Sequence, residues 1–131
     1  MSQENVEIVR AALQAWNVGD MDGVSALYDP NVAVRWAEDW PEGSEPIMGR
    51  DALMRQWEQQ REAFDSDTLE LIKIVDLGDR IVVRLTWHAA GSGPDLSIEH
   101  TYIATMRDGK AILVEYFWDY AEALKAVGLE E

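Results

Sequence analysis

The side chains that titrate near neutral pH in this sequence are two histidines, His88 and His100, and what each can do depends on the strand face it occupies. His100 alternates with Ile98, Tyr102, Ala104 and Met106 in a stretch rich in β-branched and aromatic residues, and Ile112, Val114, Tyr116 and Trp118 alternate in the next one. Turned to the same side, His100, Tyr102 and Tyr116 make a polar cluster in apolar surroundings. A neutral imidazole there accepts one proton and donates another, and beside two phenols it can orient a carbonyl or hydroxyl group or move a proton. A core histidine bonded to a tyrosine or to a backbone carbonyl accounts equally well for the same residue.

The turn at Asp108-Gly109 decides which side chains share that face. A two-residue turn sets Arg107 opposite Lys110 and puts His100 and Tyr102 on the face of Glu115, Phe117 and Asp119. A type I turn with Gly109 as a G1 bulge instead pairs Met106 with Lys110 and His100 with Tyr116. The second register gathers most apolar side chains of the last strand on one face, and is the expected one. The same rule turns Ile81, Val83, Leu85 and Trp87 inward and leaves Val82, Arg84, Thr86 and His88 outside. Ile103, Thr105, Leu113, Glu115 and Phe117 then lie on the convex face, where the apolar ones suggest a partner sheet and hence a homodimer.

Other chemistries find less support. Two histidines on different faces, without a His-x-His pair or an inward carboxylate cluster, imply no metal, and no cofactor is expected. With no cysteine in the chain there is no thiolate nucleophile or disulfide framework. Ser25 and Ser97 have no candidate base at readable spacing. The Gly91-Ser-Gly-Pro loop is not followed by a helix and reads as a hairpin connection, not a phosphate cradle. Asp119 is a helix cap, with Glu122 at capping-box spacing.

The elements that must position the cluster are legible from periodicity. Val6, Val9, Leu13 and Trp16 mark a first helix that Gly19 terminates; Asp20 caps a short second one carrying Val24, Leu27 and Tyr28. Val32, Val34 and Trp36 alternate as a strand. Residues 38–49 read as a loop carrying Trp40, a candidate lid. Arg50 to Phe64 is a third helix with Leu53, Trp57 and Phe64 on one face. Four strands follow, at Thr68 to Leu77, Arg80 to Ala89, Leu96 to Arg107 and Lys110 to Trp118, and a last helix ends at Gly128. Helices followed by a meander make an α+β fold in which a curved antiparallel sheet packs on the N-terminal helices. Trp16, Trp36, Trp40, Trp57, Trp87 and Trp118 come from almost every element, and with Tyr28 they form the expected lining of an apolar ligand pocket.

The chain has 131 residues, the size of one domain, covering 1–131. Twenty-five acidic against eleven basic residues give a net charge of −14, which opposes binding to a phosphate backbone, so nucleic acid is not an expected partner. No apolar run suits a membrane span or a signal sequence, and the sequence reads as soluble and cytoplasmic.

The opening Glu-Asn-Val-Glu-Ile-Val-Arg-Ala-Ala-Leu-Gln-Ala-Trp-Asn-Val-Gly-Asp, Tyr28-Asp-Pro-Asn-Val, Gly49-Arg-Asp-Ala-Leu and Arg107-Asp-Gly-Lys resemble the nuclear transport factor 2-like superfamily, in its SnoaL-like branch, over essentially the whole chain. The resemblance implies a cone-shaped α+β barrel, usually dimeric through the sheet. It does not choose a reaction, because the superfamily holds polyketide cyclases, epoxide hydrolases, ketosteroid isomerases, dehydratases and inert binding domains. In its cyclases and epoxide hydrolases a carboxylate acts three residues before the Asp that opens the last helix. Anchored on Asp119, that position here is Tyr116, a weak base at neutral pH; an anchor shifted by one offers Glu115. The expected function is therefore enclosure of a small apolar or aromatic metabolite, the alternative being a cyclase- or isomerase-type enzyme using His100 with Tyr102 and Tyr116.

Overall fold

The computed structural model describes residues 2–36 and 45–129, so Trp40 and most of the expected lid loop lie outside the described residues. Helix α1 (Ser2–Asn17) and the short α2 (Met21–Ser25) lead into β1 (Tyr28–Arg35) and the two-residue β2 (Ile47–Met48). Helix α3 (Arg50–Glu62) precedes β3 (Ser66–Asp76), β4 (Arg80–Ala90), β5 (Leu96–Arg107), β6 (Lys110–Phe117) and α4 (Tyr120–Ala126). The strands form one curved sheet in the order β2-β1-β6-β5-β4-β3. The architecture is the expected α+β cone. Its concave face packs on α1, α2 and α3, which contribute Val9, Trp16, Val24, Leu53 and Trp57 to the main core. No helix among the described residues is long and apolar enough to cross a membrane.

Local chemistry explains the element ends. The Asp20 carboxylate accepts from the Gly23 N–H at 3.0 Å and starts α2. That helix stops at Ser25, sooner than the Leu27–Tyr28 pattern suggests, because the Leu27 carbonyl accepts from Ala111 N–H of β6 at 2.7 Å and draws the chain into the sheet. Tyr28 thus belongs to β1, and Pro30, which has no N–H to give, falls where the β1–β6 ladder is irregular, between Tyr28 and Ala33. β1 runs parallel to β6, a pairing the meander does not specify. Ile47 and Met48, read as loop, pair with Val34 and Ala33. At the far edge of the sheet, the Asn17 side-chain amide exchanges two hydrogen bonds with the Leu69 backbone, 2.9 and 2.7 Å, and so docks the end of α1 on β3.

The β5–β6 turn corrects the expected register. Arg107 does pair with Lys110, and Asp108 (φ 52°) and Gly109 (φ 78°) make the left-handed pair of a type I′ turn, so there is no G1 bulge. The bulge lies further into β6 instead. Met106 pairs with Ala111 and Thr105 with Leu113, leaving Ile112 as the inserted residue and bringing Tyr102, not His100, opposite Tyr116. This second device restores the alternation that the tight turn alone reverses. Ala111, fully buried in the main core, takes the inward place expected for Ile112. The convex face is corrected as well: Val82 and Ile103, outward as expected, are buried under α4 with Ala123, flanked by Phe117, Tyr120 and Val127. Ile103 is therefore covered by the chain's own last helix.

Candidate functional site

The concave face, α1, α2 and α3 enclose a cavity of about 270 Å³. Its wall includes every expected aromatic that lies within the described residues: Trp16, Tyr28, Trp36, Trp57, Trp87 and Trp118, together with His100, Tyr102 and Tyr116. Trp57 is the centre of this arrangement. Its ring meets Trp16 and Trp36 edge-on, at centroid distances of 6.0 and 6.1 Å, and its Nε1–H donates to the Tyr28 hydroxyl at 3.2 Å. Trp36 stacks on Tyr116 at 4.8 Å and 24°. Tyr116 in turn lies 5.5 Å from Tyr102 and 5.9 Å from His100, ring centre to ring centre. Glu115, the alternative acid, is paired with Ile103 and Arg35 on the opposite face of β6 and does not line the cavity.

Burial dictates the protonation states. It raises the Tyr28 hydroxyl to about 12, against a smaller opposing effect of the Trp57 hydrogen bond. Tyr102 and Tyr116 are raised as well, first by burial and then by the neighbouring phenols, so all three hydroxyls stay protonated at neutral pH. Burial lowers His100, with the backbone hydrogen bond to Ile98 opposing it. The imidazole is then neutral at pH 7. Among the described residues no Asp, Glu, Lys or Arg lines the cavity, so the chamber presents phenols, an imidazole and indoles without a net charge. Such a wall can hold and hydrogen-bond a neutral molecule, and among its described residues the group that exchanges protons near neutrality is His100.

Sequence reasoning missed two features of the site. Gln56 and Gln60 line the cavity, one turn apart on α3. The signal was present, since positions 53, 56, 57, 60 and 64 share one helical face. The second feature, an ion pair, had no local signal. Arg61 on α3 places Nη1 3.2 Å from the Asp67 carboxylate and donates to the Trp16 carbonyl at 3.0 Å, with its guanidinium 4.8 Å above the Trp16 ring. Asp67, whose side chain is 2% exposed, accepts from Trp87 Nε1–H at 2.9 Å. One buried carboxylate thus fixes two walls of the cavity from behind. His88 lies on the convex face as expected, but it is not isolated: Ser97, read as lacking a base, is 2.8 Å from its Nδ1.

Comparison with known proteins agrees with this architecture. The chain belongs to the SnoaL-like domain family, whose model matches residues 9–114, and thereby to the nuclear transport factor 2-like superfamily. Among solved structures it is similar to Bal32a from a soil-derived mobile gene cassette, with a TM-score of 0.80, 20% identity, and coverage of 88% of this chain and 89% of that one. It is also similar to TerC co-crystallised with polyporic acid, with a TM-score of 0.75, 22% identity and coverage of 93% and 96%. A proposed polyketide cyclase from Sinorhizobium meliloti has a TM-score of 0.67, 25% identity and coverage of 85% and 94%. No protein of curated function matches the sequence.

Proposed function

We propose that this SnoaL-like protein encloses a small, uncharged aromatic molecule in the cavity, oriented by His100, Tyr102 and Tyr116. The observation that carries this reading is a largely aromatic wall without a charged side chain among the described residues. An anion or cation entering it would lose its hydration with no counter-charge among the described lining residues to replace it. The similar fold of TerC, crystallised with polyporic acid, is consistent with an organic occupant. Titration with 2-naphthol is expected to quench tryptophan fluorescence saturably, with naphthalene-2-sulfonate at least about tenfold weaker. Equal binding of the sulfonate would reject a neutral ligand.

A cyclase- or isomerase-type reaction is the second reading, favoured by the neutral imidazole 5.9 Å from the Tyr116 ring. His100→Gln keeps a donor and an acceptor and removes titration, so an enzyme would lose turnover while keeping affinity, and a binding protein would change affinity modestly.

The same residue has a stability signature. Because burial holds the folded-state pKa of His100 below its ordinary 6.5, the unfolded chain takes up a proton first as the pH falls. Stability is full above 6.5 and declines below it, by at most about 1.4 kcal/mol per pH unit for one proton, until the folded state also protonates. Urea unfolding of wild type and His100→Gln between about pH 7.5 and 5 isolates this effect as a difference in slope. Parallel pH profiles would remove His100 from the buried set.

We further propose self-association through the part of the convex face that α4 leaves open, where Leu113 and Phe117 are half-buried. Light scattering at micromolar concentration is expected to give a dimer mass, and a monomer mass would refute the interface.

A further inference from the structure

Away from the cavity, at the end of the sheet next to the hairpin 91–95, three side chains from adjacent strands form a hydrogen-bonded line. Glu70 Oε1 lies 2.7 Å from His88 Nε2, and His88 Nδ1 lies 2.8 Å from Ser97 Oγ. The register explains the alignment: Ser97 is the direct cross-strand partner of His88, and Thr68 faces His88 on the other side, which makes Glu70 the diagonal neighbour on the same face. An ionised carboxylate can only accept, so Glu70 assigns the ring proton to Nε2. In the neutral imidazole Nδ1 is then a bare acceptor, and the Ser97 hydroxyl donates to it. A hydroxyl bonded to a base whose other nitrogen is held by a carboxylate is the arrangement that activates a serine nucleophile.

We propose that Glu70, His88 and Ser97 form an acyl-accepting site, separate from the cavity, that takes the acyl group of activated aryl esters onto Ser97. Ser97 Oγ forms the bond to the ester carbonyl carbon while its proton passes to His88 Nδ1. The bond from that carbon to the aryl oxygen breaks, and the departing aryloxide takes the proton from Nδ1, leaving an ester at Ser97 and a free phenol. The side chains of His88 and Glu70 are 40% and 64% exposed, and Ser97 is exposed too, so an ester reaches the hydroxyl without rearrangement. Backbone N–H groups inside a strand serve the ladder rather than a developing oxyanion, which restricts the substrate to esters with a good leaving group. Along β5 the site is displaced from the proposed dimer contact: Thr101, the partner of Phe117, is four residues from Ser97, roughly 13 Å, and Thr105, the partner of Leu113, is eight residues away, roughly 26 Å.

The test is to treat the full chain with p-nitrophenyl acetate and map the acetylated peptides by mass spectrometry. One acetyl group on Ser97 is expected, absent in Ser97→Ala. The rate at Ser97 is expected to fall about 100-fold in His88→Gln, which removes the base. It is expected to fall about tenfold in Glu70→Gln, whose amide can donate or accept and no longer assigns the ring proton. All three positions are on the surface, and a thermal melt verifies that each variant is folded. Acetyl groups only on lysines or inside the cavity, or Ser97 acetylated at the wild-type rate in folded His88→Gln, would overturn the proposal.

Discussion

Replacing Trp57 by alanine is expected to destabilise the protein by about 3–5 kcal/mol and to abolish binding of an aromatic ligand. Trp57 is 8% exposed, although it forms part of a cavity wall, because Trp16, Trp36 and Tyr116 surround its ring. Removing the indole enlarges the existing void rather than making a separate one, and three rings lose their central contact. The rigid sheet beneath limits collapse. It also deprives the Tyr28 hydroxyl, which burial keeps protonated, of the indole donor. Trp57→Phe is the informative control: it keeps much of the ring packing and loses that hydrogen bond, worth about 1 kcal/mol. Urea unfolding measures both variants. A loss below about 1 kcal/mol for Trp57→Ala would mean that the wall relaxes around the missing ring, and Trp57 would then cease to be its centre.

The second large effect is expected at Asp67, outside the cavity wall. Asp67→Ala leaves the Arg61 guanidinium without its partner and the Trp87 indole N–H without an acceptor, a combination that costs about 3 kcal/mol. The figure sits at the low end for a broken buried pair because the Arg61 side chain, 23% exposed, recovers part of its hydration. Asp67→Asn retains an acceptor for Trp87 and should lose less. Arg61→Lys should not behave as a conservative change, since one ammonium cannot reach Asp67, cap the Trp16 carbonyl and stack on its ring together. Chemical denaturation gives the stability, and tryptophan emission reads the environment of the two indoles. Wild-type stability in Asp67→Ala would show that the pair is energetically neutral.

The fold was legible wherever a pattern repeats. Helix α1, the strand spacing and the Asp20 and Asp119 caps follow from periodicity and side-chain chemistry, and the Asp119 carboxylate does accept from the Ala121 N–H at 2.9 Å. The aromatic lining was legible for a different reason: large rings on inward positions of several elements have few other places to go. Two kinds of information were not local. A bulge at Ile112 is invisible to an alternation rule, because an apolar residue satisfies either face; the inward set was nonetheless nearly right, since burial constrains the face more strongly than the turn does. Interactions such as Arg61 with Asp67 join residues whose proximity depends on how α3 lies across the sheet. The pairing of His88 with Ser97 was accessible in principle, since the hairpin between β4 and β5 sets them opposite each other. Spacing along the chain does not reveal such a pair, whereas spacing across the ladder does.

The parallel joint between β1 and β6 has a consequence for the order of folding. Strands β3 to β6 form a meander of neighbours that can zip from hairpin to hairpin, whereas β1 must find β6 from about eighty residues away, Val34 beside Val114, with the associated chain-closure entropy. The Trp36–Tyr116 stack spans that joint, and Trp57 bridges it from α3. A refolding chain is therefore expected to acquire its meander before its chamber, with far-ultraviolet ellipticity and the Trp87 signal leading and the fluorescence of Trp36 and Trp57 following the closing strand.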